Sequence, residues 1–296
     1  MSDAAMTVAI DPPPLDWDEA ALYGLIQGVT EFLPVSSSGH LALAHLWGLG
    51  HIPPHLALAF DVLLHAATLL AILLAFAPEV VQAVRCGPRF WGVLLIAIVP
   101  TGLVALLAED LVDAAGDRLW VIGLCYLYTA TLLLVAEWRS ARLAVNDVRR
   151  PAEHLASIGW RQALWVGLFQ IAALLPGVSR SGSTIAGGLL GRMPPSVAVG
   201  FGFLVGLPLM AAAAAKDALD PEAGFAALAE SVGYGPLAVA FGVSLTSGVL
   251  PILLLKLVVR RRRLNWFAGY CALLGAVCLA IAWLGGGVDP STGIAP

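Results

Sequence analysis

The sequence contains little charge. Only 12% of its 296 residues are Asp, Glu, Lys or Arg, while 59% are hydrophobic and the mean hydropathy is +0.86. A soluble domain of this size could not bury so much apolar side chain. The net charge of -4 is small, and no basic stripe is interleaved with aromatic residues, so no nucleic-acid partner is expected. The chain is therefore predicted to be an integral membrane protein.

Cysteine is also scarce. Cys86, Cys125, Cys271 and Cys278 stand alone, without the spacing of a zinc site or a disulfide framework, and are expected to be packing residues. The start of the chain lacks the basic end and apolar core of a signal peptide. Residues 1–19 are instead predicted to be an acidic, proline-containing tail.

Six apolar stretches are long enough to cross a bilayer, because a helix rises about 1.5 Å per residue and the hydrocarbon core is about 30 Å thick. The predicted spans are 56–77, 90–108, 119–136, 197–215, 235–255 and 266–284. All of them fall in a single membrane domain, residues 20–285, followed by a tail at 286–296. The predicted fold is all-α and polytopic.

Two further apolar regions, 20–50 and 160–191, are interrupted midway by proline, serine and glycine. Neither half of either region is long enough to cross the membrane. Non-helical backbone at membrane depth is tolerated only inside protein or along a watery cavity. Both regions are therefore predicted to be re-entrant helical hairpins that line a site.

Basic residues predict the orientation of the spans. If the six spans alternate, thirteen of the sixteen Lys and Arg residues fall on one side, which is then cytoplasmic. The first hairpin then starts and ends outside, and the second starts and ends inside. Each half of the chain is one hairpin plus three spans, so the halves, about 20–138 and 160–285, have opposite orientation. This is an inverted-topology repeat.

A fixed offset of 143 residues supports the duplication. The matches cluster at the two broken hairpins. At this offset Ala20, Gly24, Leu25, Gln27, Val35, Ser36, Ser38, Gly39 and Phe60 correspond to Ala163, Gly167, Leu168, Gln170, Val178, Ser179, Ser181, Gly182 and Phe203.

The two hairpins carry the chemistry. Arg180 is the only basic residue predicted at mid-membrane depth, so it needs a partner, either Glu31 or an anionic ligand. Helix starts offer free N–H groups, which together with Arg and hydroxyls make a site for phosphate. The hydroxyls near the two breaks belong to Ser36, Ser37, Ser38, Ser179, Ser181, Ser183 and Thr184.

Glu31 and Gln27 lie four residues apart and share a helix face. A carboxylate facing a phosphate site favours a hard divalent cation between them, Mg²⁺ or Ca²⁺, with Glu31 as its ligand. His40 follows at the start of the next helix as a candidate general acid/base or nucleophile. Asp61 and His65 form either a second layer around the site or a structural polar pair.

The reactive groups do not follow the repeat. At the offset of 143, Glu31 corresponds to Leu174 and His40 to Ser183. One hairpin brings the carboxylate and the imidazole, and the other brings the cation. This asymmetry favours one reaction at one site over passage of a solute between two equivalent states. Three further histidines, His45, His51 and His55, are expected to be interfacial.

At the hairpins the sequence resembles the undecaprenyl-pyrophosphate phosphatase family of the bacitracin-resistance type. The motifs that carry the resemblance are QGVTEFLPVSSSGH at residues 27–40 and PGVSRSGST at residues 176–184. The resemblance implies hydrolysis of a polyprenyl pyrophosphate lipid to the monophosphate and inorganic phosphate, which recycles the carrier for cell-wall synthesis. It also implies metal dependence, a homodimer among membrane lipids, and a site that opens to the periplasmic side of the bacterial inner membrane.

The family's motifs assign roles to this chain's residues. The implied catalytic residues are Glu31, Ser37, His40 and Arg180. The implied substrate-binding residues are Gln27, Ser36, Ser179, Ser181 and Thr184, and the Ser38 hydroxyl near the first break is expected to join them. Many members of the family have Glu where this chain has Gln27, so Asp61 is expected to help Glu31 with the metal.

Three points stay open in the sequence. The attacking group is expected to be the Ser37 hydroxyl with His40 taking its proton, but direct attack by His40 and attack by a metal-held water are alternatives. A transporter or flippase of a phosphorylated lipid carrier or small anion is the rival function, because inverted repeats with broken helices are typical of alternating access. A purely structural scaffold would leave the hairpin charges unexplained.

Overall fold

The computed structural model describes residues 15–49, 52–116, 118–142, 147–148, 151–220, 222 and 224–284. Over these residues the regular structure is helical. Fourteen α-helices are found: α1 Trp17–Phe32, α2 Ser37–Leu46, α3 Ala57–Ala75, α4 Ala77–Arg85, α5 Pro88–Leu107, α6 Glu109–Gly116, α7 Leu119–Arg142, α8 Trp160–Ala172, α9 Arg180–Leu190, α10 Pro195–Leu219, α11 Phe225–Val232, α12 Tyr234–Ser247, α13 Val249–Arg260 and α14 Asn265–Leu284. Short 3₁₀ turns occur at Pro54–Leu56 and Pro151–Ser157.

Six helical segments in the described chain are long and apolar enough to cross a membrane, which confirms the predicted number of spans. They are Ala57–Ala75, Pro88–Leu107, Leu119–Arg142, Pro195–Lys216, Tyr234–Arg260 and Asn265–Leu284. Each overlaps one predicted span. The third span, α7, continues six residues beyond the predicted end at 136. The added residues favour helix, and Arg139 and Arg142 lie in its last turn.

The fifth span is not one continuous helix. It consists of α12 and α13, which meet at Gly248. A Cβ at Gly248 would lie 2.5 Å from the ring of Phe32, the last residue of α1. Pro251 lacks the N–H that would bond one turn back. The close approach of α1 and the proline together explain the break.

The four helices of the two interrupted regions are each too short to span. The pairs α1–α2 and α8–α9 each have a break of a few residues, containing Pro34 and Pro176 respectively, where both hairpins were predicted to break. Helix α1 begins at Trp17, three residues inside the predicted tail, because the Glu19 carboxylate accepts from the Asp16 backbone N–H at 3.1 Å and acidic residues favour a helix start. Residues 1–14 and the predicted tail at 286–296 lie outside the described residues.

Helix packing crosses between the halves of the chain. Helix α1 packs along α12, α8 packs along α5 and α9, and α7 packs along α14. The four cysteines are buried and free, so they are packing residues as predicted. The largest hydrophobic cluster surrounds the ring of Phe203, whose centroid lies 4.7 Å from that of Phe76 and 5.9 Å from that of Phe32.

Candidate active site

Each break ends in a serine that caps the following helix. The Ser36 hydroxyl accepts from the Gly39 backbone N–H at 3.3 Å, and the Ser179 hydroxyl accepts from the Gly182 N–H at 3.0 Å. Helices α2 and α9 therefore begin at Ser37 and Arg180. The capping serines fix both first residues at the positive ends of helix dipoles.

The two breaks touch each other. The Ser181 hydroxyl donates to the Leu33 carbonyl at 2.9 Å, which ties the start of α9 to the end of α1. A Cβ at Gly39 would lie 2.8 Å from the Cα of Gly177, so the breaks approach as closely as glycine permits. Residues separated by about 140 positions in sequence are thereby brought to one place.

Glu31 is the centre of this contact. Its side chain is 4% exposed, and Oε1 is paired with the Arg180 guanidinium. Its other oxygen, Oε2, accepts from the Ser37 hydroxyl at 2.5 Å and from the Gln27 amide at 3.1 Å. Of the two partners predicted for Arg180, the structure shows Glu31, and this carboxylate bridges the two helix breaks.

A cavity of about 350 Å³ lies beside this cluster. Its polar wall contains Glu31, Ser36, Ser37, Ser38, His65, Ser179 and Arg180. These groups offer a guanidinium, several hydroxyls and two helix N-termini, which are the groups that bind phosphate in proteins. A hydroxyl aimed at a carboxylate on the cavity wall also provides a nucleophile with a base beside it.

His40 does not line this cavity. Its Nδ1 lies 2.7 Å from the Ser36 carbonyl oxygen and 3.0 Å from the Tyr126 hydroxyl, and its Nε2 lies 2.7 Å from the Tyr270 hydroxyl. Because a carbonyl only accepts, Nδ1 carries the proton, and Nε2 accepts from Tyr270. The ring lines a second cavity of about 430 Å³, so the structure does not bring His40 to the Ser37 hydroxyl.

Two predicted phosphate-binding hydroxyls also point elsewhere. The Thr184 hydroxyl donates to the Arg180 carbonyl at 3.1 Å, and the Ser181 hydroxyl is engaged by Leu33. Both residues border a much smaller cavity of about 10 Å³ on the other side of Arg180. They hold the α9 start in place, whereas Ser36, Ser38 and Ser179 reach the main cavity.

Asp61 does not assist Glu31, contrary to the expectation from the sequence. Its carboxylate accepts from His45 Nε2 at 2.9 Å, and His45 Nδ1 lies 3.0 Å from the Tyr23 hydroxyl. His45, predicted to lie at the membrane–water interface, thus links α2 to α1 and α3. His65, one turn further along α3, is the α3 side chain that reaches Glu31, and His45 holds the Asp61 carboxylate. His51 lies outside the described residues.

His65 is the residue whose position sequence reasoning left open. Its Nδ1 lies 2.7 Å from the Asp61 carbonyl oxygen, and its Nε2 lies 3.4 Å from Glu31 Oε2. The signal was a polar side chain in the apolar span α3. The contacts of His40 with Tyr126 and Tyr270 were missed altogether, because those tyrosines are far away in sequence and no motif marks them.

A family model described as bacitracin resistance protein BacA matches residues 20–277. The chain belongs to the BacA family. A relative from Syntrophotalea carbinolica is 39% identical over 273 residues, which cover 89% of this chain and 98% of the relative. A relative from Rubrobacter xylanophilus is 37% identical over 283 residues, which cover 90% of this chain and 98% of the relative. A relative from Bacteroides fragilis is 34% identical over 280 residues, which cover 91% of this chain and 100% of the relative. All three are named undecaprenyl-diphosphatase. The match to the BacA family includes both helix breaks, the first five spans and part of the sixth.

Proposed function

We propose that this protein hydrolyses undecaprenyl diphosphate in the membrane to undecaprenyl phosphate and inorganic phosphate, which returns the lipid carrier to cell-wall synthesis. The observation that carries this function is the contact of Arg180 and Ser37 with Glu31 on the wall of a cavity. The BacA relatives named undecaprenyl-diphosphatase support the substrate. The pyrophosphate head binds at Arg180, the hydroxyls of Ser36, Ser38 and Ser179, and the starts of α2 and α9.

Ser37 is the proposed attacking group. Its hydroxyl already donates to Glu31, so Glu31 rather than His40 takes the proton as the oxygen attacks the terminal phosphorus. The bond from that phosphorus to the bridging oxygen breaks, and undecaprenyl phosphate leaves. Water then releases the phosphoryl group from Ser37. Attack by His40 or by water is the alternative, although His40 faces the other cavity.

Arg180 stabilises the charge that develops on the phosphoryl oxygens, which is the main catalytic demand in phosphoryl transfer. In the resting site its guanidinium is paired with Glu31, so the substrate must share this cation with the carboxylate. His40 remains a predicted catalytic residue. In this arrangement its Nδ1–H holds the Ser36 carbonyl at the cap of α2, which positions Ser37.

The residues present fit a divalent cation that the substrate helps to hold. In the described part of the chain no group of three His, Cys, Asp or Glu side chains could hold a metal by itself. Mg²⁺, however, is commonly bound by one or two carboxylates together with substrate phosphates and water. Glu31 would hold it, and Gln27, which donates to Glu31 Oε2 through its amide nitrogen, lies beside that carboxylate but not on the cavity wall. When bound, Mg²⁺ or Ca²⁺ supplies positive charge to the pyrophosphate oxygens.

An inverted repeat with two re-entrant hairpins is the proposed architecture. Gly24 packs against the Ala240 carbonyl and Gly167 against the Ala97 carbonyl, so that a Cβ at either glycine would overlap the oxygen. Both glycines and both alanines are separated by 143 residues, the offset found in the sequence. The caps Ser36 and Ser179 keep the same offset. These exchanged contacts support two halves of equal structure and opposite orientation.

The cavity is proposed to open to the periplasmic side of the bacterial inner membrane. Its walls use the first half of α3 and the second halves of α5 and α10. Under the orientation predicted from the basic residues, these are the outer halves of all three spans. The inner side is filled by the packed rings of Phe32, Phe76 and Phe203. The homodimer and its lipid contacts remain predictions.

Phosphate release by purified protein in detergent tests the function. In micelles no membrane separates two compartments, so a transporter would leave undecaprenyl diphosphate intact, whereas the enzyme releases phosphate. A chelator should lower the release and added Mg²⁺ or Ca²⁺ should restore it. Intact substrate after incubation with folded protein and either cation would favour the transporter.

A further inference from the structure

The main cavity has two chemically different ends. Its polar end contains Glu31, Arg180 and the serines described above. Its other walls are mostly apolar and come from α3, α5, α10 and the segment after α8. The apolar lining residues are Val62, Ala105, Ala173, Leu174, Val178, Leu209, Met210 and Ala213. The polar exceptions are Thr101 and Gln170, whose side chains hydrogen-bond to each other at 3.3 Å. A cavity that is polar at one end and apolar at the other matches an amphiphile rather than a free phosphate ester.

The apolar end reaches the outer surface of the helix bundle. Ala213 is exposed, and Ala105 and Leu209 are partly exposed. All three lie on α5 and α10, which are two of the six candidate spans, so their exposed faces meet lipid. The cavity therefore runs from the charged cluster to the lipid beside these two helices.

The distance along α10 from the Arg180 guanidinium to Ala213 matches the length of the first carbons of a lipid chain attached to a pyrophosphate head. Gly206 is beside the Arg180 guanidinium, since a Cβ there would lie 3.9 Å from its atoms. Ala213 follows seven residues later, which is two helical turns or about 10 Å. A pyrophosphate at Arg180 thus places the first carbons of its chain between α5 and α10.

We propose that the prenyl chain leaves the cavity between α5 and α10, past Ala105, Leu209 and Ala213, and that the two alanines set the width of this passage. The proposal rests on the proposed function, because it deepens the assignment of a prenyl pyrophosphate to this site. The second cavity, next to His40, Trp47 and Leu274, is apolar as well, but it shares no lining residue with the site of Arg180.

Steric narrowing tests the passage. Ala213→Phe and Ala105→Phe should raise KM for farnesyl pyrophosphate about tenfold with kcat nearly unchanged, because they remove binding common to ground and transition states. Dimethylallyl pyrophosphate, whose chain is too short to reach Ala213, should be affected little. Ala211→Phe is the matched control, since Ala211 is exposed on the opposite face of α10 and does not line the cavity.

Photolabelling gives an independent result on the unaltered protein, so it does not depend on how the variants fold. A farnesyl pyrophosphate analogue with a diazirine on its first isoprene unit should label peptides that contain Ala105 or Ala213. Label on peptides of Trp47 or Leu274 would overturn the passage, as would an unchanged KM in folded Ala213→Phe. If the wild type releases no phosphate while the label still falls on α5 or α10, the proposed function fails and the passage stands.

Discussion

At the scale of single residues, the account depends on the buried carboxylate of Glu31. A carboxylate that is 4% exposed would be very costly without partners, and here Arg180, Ser37 and Gln27 supply them. The same contacts suit the two tasks proposed for the carboxylate, which are to hold Arg180 at the phosphate position and to accept the proton of Ser37.

Replacement of the Arg180 guanidinium by an ammonium group should lower the rate of phosphate release. Arg180→Lys keeps the charge but loses the planar fork that can bind a carboxylate and a phosphate together. We expect phosphate release to fall about a hundredfold or more, the usual loss when a donor to a developing anion is removed. Arg161→Lys is the control, because Arg161 lies at the start of α8 over the ring of Trp160, away from the cavity. Arg180→Lys activity within threefold of wild type would contradict the assignment.

The nucleophile can be identified with neighbouring serines. Ser37→Ala removes the only hydroxyl that donates to Glu31 among the described contacts, so phosphate release should fall on the order of 10³-fold or more. Ser38→Ala should lose far less in kcat and should mainly raise KM, since the Ser38 hydroxyl lines the cavity but pairs with Ser36 at 3.3 Å rather than with Glu31. Quenched-flow trapping of a phosphoprotein in the wild type measures the transfer of the phosphoryl group to Ser37 directly. Full turnover by Ser37→Ala would assign the attack to water or to His40.

At the scale of helices, the sequence predicted where the hairpins break but not how every side chain is directed. Pro34 and Pro176 with nearby serines are strong local signals, and both breaks lie there. The direction of His40 depends on Tyr270, 230 residues away, and no local pattern reports such a contact. The short helices α4, α6 and α11 were not predicted, because eight or nine residues between spans carry too little periodic signal.

The break within the fifth span was also not predicted. Residues 235–255 are apolar on average, although Thr246, Ser247 and Gly248 interrupt the run, and the ring of Phe32 packs against Gly248. Proline at 251 was visible, but a single proline inside a membrane span is usually tolerated. The proline and the long-range contact of Phe32 with Gly248 act together here, and hydropathy does not report the contact.

The exchanged glycine contacts give a stability prediction. Gly24→Ala and Gly167→Ala should each destabilise the protein by about 1–3 kcal/mol, because the added methyl group forces α1 away from α12 or α8 away from α5. Gly92→Ala on α5 meets open space and should be neutral or slightly stabilising. Thermal unfolding in detergent measures all three. If both packed variants unfolded at the same temperature as Gly92→Ala, the close helix contacts would be wrong.

At the scale of the whole molecule, hydropathy alone was sufficient to predict six spans, since lipid requires long apolar helices. Which helices pack together could not be predicted from hydropathy. Helix α1 packs on α12 from the other half of the chain, and α8 packs on α5. The offset of 143 residues was the one sequence feature that pointed to this exchange.

Orientation can be measured with single cysteines at the two ends of α5. Leu111→Cys, in α6 just after α5, should react with a membrane-impermeant maleimide on intact cells. Arg89→Cys, at the start of α5, should react only after the membrane is permeabilised. The four native cysteines are buried and serve as an internal blank. The opposite labelling pattern would mean that the cavity opens to the cytoplasm and that the predicted orientation is wrong.

The central claim is that two hairpins assemble one phosphatase site around Glu31. The most direct measurement is phosphate release from undecaprenyl diphosphate in detergent by the wild type, Glu31→Gln and Leu174→Gln. Leu174 occupies the corresponding position in the second half and also lines the cavity, so it controls for a new amide there. The account predicts release by the wild type and by Leu174→Gln, and a loss of at least about a hundredfold in Glu31→Gln. Release by Glu31→Gln at the wild-type rate would contradict it.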